Sequence, residues 1–115
     1  MKTTDYFSIW KEREEEEKRK RDLAIEKAKS VARFLKEQYN VKETILFGSL
    51  IWRPNFLWRG TDIDLLVKGL TNANYFEALA DISEISHPFH VDLIPFEKAG
   101  TLIKNRILKE GRRLE

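Results

Sequence analysis

Residues 61–69 read TDIDLLVKG, and in an extended chain, whose side chains alternate between two faces, Asp62 and Asp64 fall on one side while Ile63, Leu65 and Val67 fall on the other. An apolar face backed by two carboxylates is a strand whose one side enters a core and whose other side lines a polar site. The same count along residues 89–96, FHVDLIPF, puts Asp92 with His90 on one face and Phe89, Val91 and Leu93 on the opposite one. Upstream, residues 43–49, ETILFGS, read as a buried strand running into a Gly48–Ser49 turn. Were the two aspartate-bearing strands neighbours, at the roughly 4.8 Å spacing of a sheet, the three carboxylates would converge on one spot.

Convergence of like charges carries a cost. Neighbouring carboxylates repel and raise each other's pKa unless a cation intervenes. Magnesium suits ligation by one or two carboxylates per ion, with phosphate oxygens completing the shell, and a chain without cysteine offers no thiolate for a softer metal. Gly48 and Ser49 complement this arrangement. A glycine after a buried strand lets backbone approach a ligand closely, and the following serine can cap a short helix or donate its hydroxyl to a phosphate oxygen.

Outward from these strands, the frame is a single domain over 1–115, divided into a charged helical extension over 1–22 and a core over 23–115. An apolar content of 42% is enough for one compact core. The balance of 21 basic to 19 acidic residues gives no sign of nucleic-acid binding from net charge. Lack of cysteine excludes disulfides and thiol catalysis, and no apolar run approaches the ~18 residues of a membrane span, so the expectation is a soluble, cytoplasmic protein.

The first forty residues read as helix. No apolar residue occurs from Lys11 to Asp22, yet Glu14–Lys18, Glu15–Arg19, Glu16–Lys20 and Glu17–Arg21 are successive acid-to-base pairs at the i,i+4 spacing that supports a solvated helix. Beyond it Ala24, Ala28, Val31, Ala32, Phe34, Leu35 and Tyr39 form a stripe able to pack on a sheet, and Asn40 closes the helix. Tyr6, Phe7 and Trp10 are too apolar for the tip of a charged rod and suggest a contact with a partner or with a second copy. After Gly69 a helix is expected near 73–85, capped by Thr71 or Asn72. A last helix is expected over about 97–109, with Leu102, Ile103, Ile107 and Leu108 as its apolar positions. Lys104, Arg106, Lys109, Arg112 and Arg113 then make the C-terminal end basic, complementing that helix's dipole. The order helix, strand, strand, helix, strand, helix gives a small mixed sheet covered by helices, an α/β (α+β) arrangement.

In its order of glycine-serine, a spacer of twelve, Asp-x-Asp, then an aspartate on a later strand, the chain resembles the nucleotidyltransferase superfamily typified by DNA polymerase beta. Its size is similar to the minimal nucleotidyltransferases, antitoxin-type proteins that pair with HEPN-family toxins. The resemblance covers about residues 30–110. It implies a polymerase beta-like fold and a Mg2+-dependent transfer of a nucleoside monophosphate, AMP from ATP, to a hydroxyl such as a tyrosine of a HEPN partner. It further implies that Gly48 and Ser49 hold the nucleotide's phosphates, that Asp62 and Asp64 bind both magnesium ions, and that Asp92 binds the ion beside the acceptor hydroxyl.

One stretch departs from the pattern. Minimal members commonly read GSxARG, whereas here Ile51, Trp52 and Arg53 stand where Ala, Arg and Gly are expected. Trp52 supplies no guanidinium, which leaves Arg53 or Arg59 to reach the phosphates. Trp52, Phe56 and Trp58 make the loop unusually aromatic, suited to stacking on a base, to a partner-facing patch, or to covering the sheet edge. Two other readings stay open at this point: a non-catalytic, antitoxin-like subunit that binds through this loop and the long helix, and a nucleic-acid-binding domain using the basic C-terminus.

Overall fold

A computed structural model describes residues 5–52 and 62–114. Helix α1 runs Tyr6–Tyr39 and begins at Asp5, whose carboxylate accepts from the backbone N–H groups of Phe7 and Ser8 at 3.1 and 3.2 Å. It ends at Asn40, whose left-handed φ of 55° turns the chain towards the sheet, as the sequence suggested. Strand β1 (Glu43–Phe47), a single-turn helix α2 (Ser49–Trp52) and strand β2 (Ile63–Lys68) follow. Helix α3 (Tyr75–Ser86), strand β3 (Val91–Pro95), helix α4 (Thr101–Glu110) and a short strand β4 (Arg112–Leu114) complete the chain.

The strands form one mixed sheet in the order β3-β2-β1-β4. β1 pairs antiparallel with β2 and with β4, while β2 and β3 are parallel because α3 crosses back between them. Alternation then sorts the core. Leu46, Ile63, Leu65, Val67, Val91 and Leu93 point to one face, where Ala24, Ala28, Val31 and Leu35 of α1 and Ala78 and Ile82 of α3 bury them. The hydroxyl of Tyr39 donates to Asp81 at 2.6 Å and ties these two helices together. On the other face Ile45, Phe47 and Leu66 meet Ile107 of α4 in a smaller cluster.

Four expectations are corrected. Helix α4 buries only Ile107 among its expected apolar positions: Leu102 is 88% exposed, and Ile103 and Leu108 also face outward, because α4 covers a small part of its side of the sheet. Residues 96–98 form a separate single turn, so α4 starts at Thr101. Thr71 and Asn72 do not cap α3, since 72–74 make their own 3-10 turn and neither Thr71 nor Asn74 makes a side-chain cap bond. The C-terminal residues leave the helix for β4, where Arg113 pairs with Glu43 of β1. Gly111 permits that exit, as a Cβ there would stand 2.5 Å from the Ile107 carbonyl oxygen and 2.6 Å from Ile45.

The buried positions of α1 begin at Ala24, so about five turns of helix precede the body. Tyr6 and Phe7 at their tip are 79% and 76% exposed. Arg21 anchors the base of this projection, its Nε donating to the Leu50 carbonyl of α2 at 3.3 Å. No helix among the described residues is long and apolar enough to cross a membrane.

Candidate active site

Register decides what the aspartates do. Asp64 of β2 lies directly abreast of Asp92 of β3, and on its other side it is abreast of Phe47, the last residue of β1 before Gly48. The Ile63 N–H donates to the His90 carbonyl at 2.8 Å, which aligns the starts of β2 and β3 and brings Asp62 beside His90. Residues 62, 64, 90 and 92 therefore share the face that carries Leu66 and α4, away from the α1–α3 core. The three aspartates come together with Gly48 at one end of the sheet, as their alternation suggested.

Gly48 takes a positive φ of 82°, and a Cβ on it would stand 2.1 Å from Oδ2 of Asp64. The carboxyl of Asp64 thus fills the space that any other residue at 48 would occupy. The Gly48 carbonyl accepts from the N–H groups of Ile51 and Trp52, at 3.0 and 2.8 Å, folding α2 as a tight turn pinned by buried Leu50. Ser49, half-buried, opens that turn beside the acids.

Burial in this niche, then the charge of Asp92 and a hydrogen bond shared with it, and then the charge of Asp62, push the Asp64 carboxyl up to about 6, with His90 acting in the opposite direction. Asp62 and Asp92 are about half exposed. The His90 Nδ1 sits 3.6 Å from Oδ1 of Asp62 and 3.7 Å from Oδ1 of Asp92. Among the described residues, ligand atoms of Asp62, His90 and Asp92 lie within 4.8 Å of one another. A histidine joins a cluster that sequence reasoning had built from carboxylates alone. The signal for it was the shared strand face of residues 90 and 92, outweighed by the frequency with which a strand histidine is only an exposed polar residue.

The chemistry of this donor set fits a divalent cation. Ligand atoms of Asp62, His90 and Asp92 within 4.8 Å of one another can converge on one ion, and their half-exposed oxygens leave room for further ligands. Such a cluster can neutralise phosphate charge through metal ions and accept a proton at a carboxylate.

Trp52 lies near the site, its ring tilted against Phe47 at 5.9 Å, and the guanidinium of Arg106 from α4 stacks 3.7 Å above it. This stacking was invisible in the sequence, where the two residues stand far apart. Arg53, Arg59, Phe56 and Trp58, also singled out there, lie outside the described residues.

The model of the family described as polymerase beta, nucleotidyltransferase matches residues 29–114. No curated protein matches the chain. Among solved structures, a mutant of the toxin–antitoxin MntA–HepT superposes with a TM-score of 0.60 at 20% identity, covering 75% of this chain and 70% of that one. A toxin–antitoxin with AMP-PNP gives 0.60 at 22% identity, covering 76% and 72%. The unmutated MntA–HepT toxin–antitoxin gives 0.57 at 19%, covering 77% and 69%. These likenesses concern the fold.

Proposed function

The chain belongs to the polymerase beta nucleotidyltransferase family, and from that premise we propose that it is a minimal nucleotidyltransferase of the antitoxin type, transferring AMP from ATP to a hydroxyl of a HEPN-family partner, a tyrosine being the fitting acceptor. The observation that carries this reading is the alignment of Asp64 and Asp92 on adjacent parallel strands, with Asp62 on the same face and Gly48 against Asp64. Toxin–antitoxin structures among the fold's neighbours, one with an ATP analogue, support the choice of donor and partner. A site fed by ATP belongs in the cytoplasm.

Asp62 and Asp64 would hold the two magnesium ions, with Asp92 adding a ligand to the one nearer the acceptor. When bound, the ions supply charge that stabilises the pyrophosphate leaving group and makes the acceptor hydroxyl more acidic. Gly48, its side-chain space taken by the Asp64 carboxyl, would offer its backbone to the triphosphate, and the Ser49 hydroxyl would donate to a phosphate oxygen. Arg53 and Arg59 are assigned to phosphate neutralisation on their place in the sequence. The acceptor oxygen forms a bond to the α-phosphorus as the bond between that phosphorus and the pyrophosphate oxygen breaks. A carboxylate oxygen of Asp92 takes the hydroxyl proton.

Incubation with each labelled nucleoside triphosphate and magnesium, with and without a HEPN-family partner, tests donor and acceptor together. Label should pass from ATP to the partner, and Asp62→Ala or Asp64→Ala should abolish the transfer. Activity surviving both substitutions would end the assignment.

A second reading has its own observation. Trp52 occupies the position where the family pattern has arginine and is stacked under Arg106, while Tyr6, Phe7, Ile9 and Trp10 remain exposed on the projecting helix. On that reading the chain is a non-catalytic antitoxin subunit, binding its partner through the aromatic loop and α1 or associating with a second copy through the tip. Partner capture retained by Asp64→Ala, with no transfer by the parent protein, selects it.

A further inference from the structure

We propose that His90 is a nitrogen ligand of the divalent cation held by Asp62 and Asp92, and that it biases this site from magnesium towards first-row transition metals. The proposal rests on the nucleotidyltransferase reading for the existence of the cation site, and adds to it the chemical character of one donor.

Backbone geometry places the ring. His90 immediately precedes β3, and its carbonyl accepts from the Ile63 N–H at 2.8 Å, so its side chain emerges beside Asp62 and on the face of Asp92. Nδ1 lies nearly equidistant from the two carboxylates, at 3.6 and 3.7 Å from their Oδ1 atoms. Around a cation with bonds of about 2.1 Å, adjacent donors stand about 3.0 Å apart and opposite donors about 4.2 Å apart. The two separations from Nδ1 fall between those values and all three ligand atoms lie within 4.8 Å of one another, so rotation of the side chains brings them onto one ion. The ring is otherwise exposed and is not packed into either apolar cluster. Its position is not explained by the core.

Asp64 is placed differently. Its carboxyl is turned under Gly48 abreast of Asp92, which leaves Asp62, His90 and Asp92 as the preformed trio. An all-carboxylate trio is a hard oxygen set of the kind that magnesium accepts. Replacing one oxygen by an imidazole nitrogen favours metals further along the first transition row, for which imidazole is a better donor.

Two measurements on the intact chain decide the matter without reference to catalysis. Pulsed electron paramagnetic resonance of the Mn2+-loaded protein should show coupling to a directly bound nitrogen-14, and His90→Gln should remove it. Calorimetric titration with Co2+ and Mg2+ alone should show Co2+ affinity falling by about tenfold in His90→Gln while Mg2+ affinity changes by less than about twofold. Absence of nitrogen coupling in the unmutated protein, or an unchanged ratio of Co2+ to Mg2+ affinity in the variant, overturns the proposal. Asp62→Asn separates the two levels. If it abolishes metal uptake while nitrogen coupling is missing from the parent, only the histidine assignment falls. If it leaves uptake of every ion intact, the cation site and the nucleotidyltransferase reading fall with it.

Discussion

Replacing Gly48 by alanine should damage stability and site together, and the two effects can be separated. Its φ of 82° lies in the left-handed region, which costs a residue with a Cβ about 1–2 kcal/mol. The added methyl would also stand 2.1 Å from Oδ2, 3.1 Å from Cγ and 3.3 Å from Cβ of Asp64. Turning the carboxylate about its own bond relieves the first contact, but Cγ stays at 3.1 Å whichever way the oxygens point, so about 1–2 kcal/mol of crowding against the carboxyl group remains. Gly48→Ala should therefore lose about 2–4 kcal/mol in urea denaturation, read from the midpoint at constant slope. In an Asp64→Ala background Oδ2 and Cγ are gone, and the same substitution should cost only the backbone portion, about 1–2 kcal/mol. The single variant should also lose metal-dependent nucleotide uptake, since its Asp64 carboxyl has been displaced. An equal cost in both backgrounds, or a loss under about 0.5 kcal/mol in the parent, would refute the claim that this glycine exists to seat that carboxyl.

Three further outcomes are expected. In the metal-free protein the Asp64 carboxyl sits near 6, against 3.8 ordinarily, so the folded chain holds an extra proton between those values; the corresponding stability is present below about pH 4 and is lost as pH rises through 6. Allowing for screening of a half-exposed group this amounts to about 1 kcal/mol, and Asp64→Asn, measured by denaturation in chelator across pH 4–8, should flatten the profile and gain that much at the upper end, whereas parallel profiles would contradict the assignment. Trp52→Ala and Arg106→Ala should be non-additive by about 0.5–2 kcal/mol in a thermal double-mutant cycle, given the 3.7 Å stacking, and strict additivity would mean that the contact contributes nothing. Deleting residues 1–12 should leave the melting temperature of the body nearly unchanged, because burial in α1 starts at Ala24, while lowering the mass in solution or abolishing partner capture; if neither changes, the exposed tip is not an interface.

The parts of this fold legible in the sequence were those where one local rule met no competitor. Alternation in residues 62–67 and 89–94 sorted acids from aliphatics onto the faces they occupy, because a strand's period of two cannot be satisfied otherwise once one face is buried. Asn40 ended α1 for a local reason as well. Residues 101–114 were misjudged for a tertiary reason: helical spacing of Leu102, Ile103, Ile107 and Leu108 promised a buried stripe, but whether a stripe is covered depends on how far the sheet extends beneath it. β4 was missed because three residues, two of them arginines, carry no strand pattern of their own and pair only because β1 presents a free edge there.

The candidate site divides along the same line, and the division bears on how such a site is built. Which residues share a face is a matter of counting, so Asp62, Asp64 and Asp92 could be grouped in advance. How they differ is set by what stands above each one. Asp64 alone lies under Gly48 and abreast of Asp92, which is why its proton is held so firmly, while Asp62 and Asp92 stay open enough to be approached by an imidazole from residue 90. Three chemically identical side chains on one sheet face thereby acquire unequal roles, and the inequality comes from a glycine and a histidine rather than from the acids. The extended strands and the packed α1–α3 face hold the carboxylates in mutual repulsion that a free chain would relieve by separating them, so the site is destabilising in isolation and is offset by the core beneath it. A cation entering this site would meet donors already gathered on one sheet face, which is the condition under which charge stabilisation contributes most to a phosphoryl transfer.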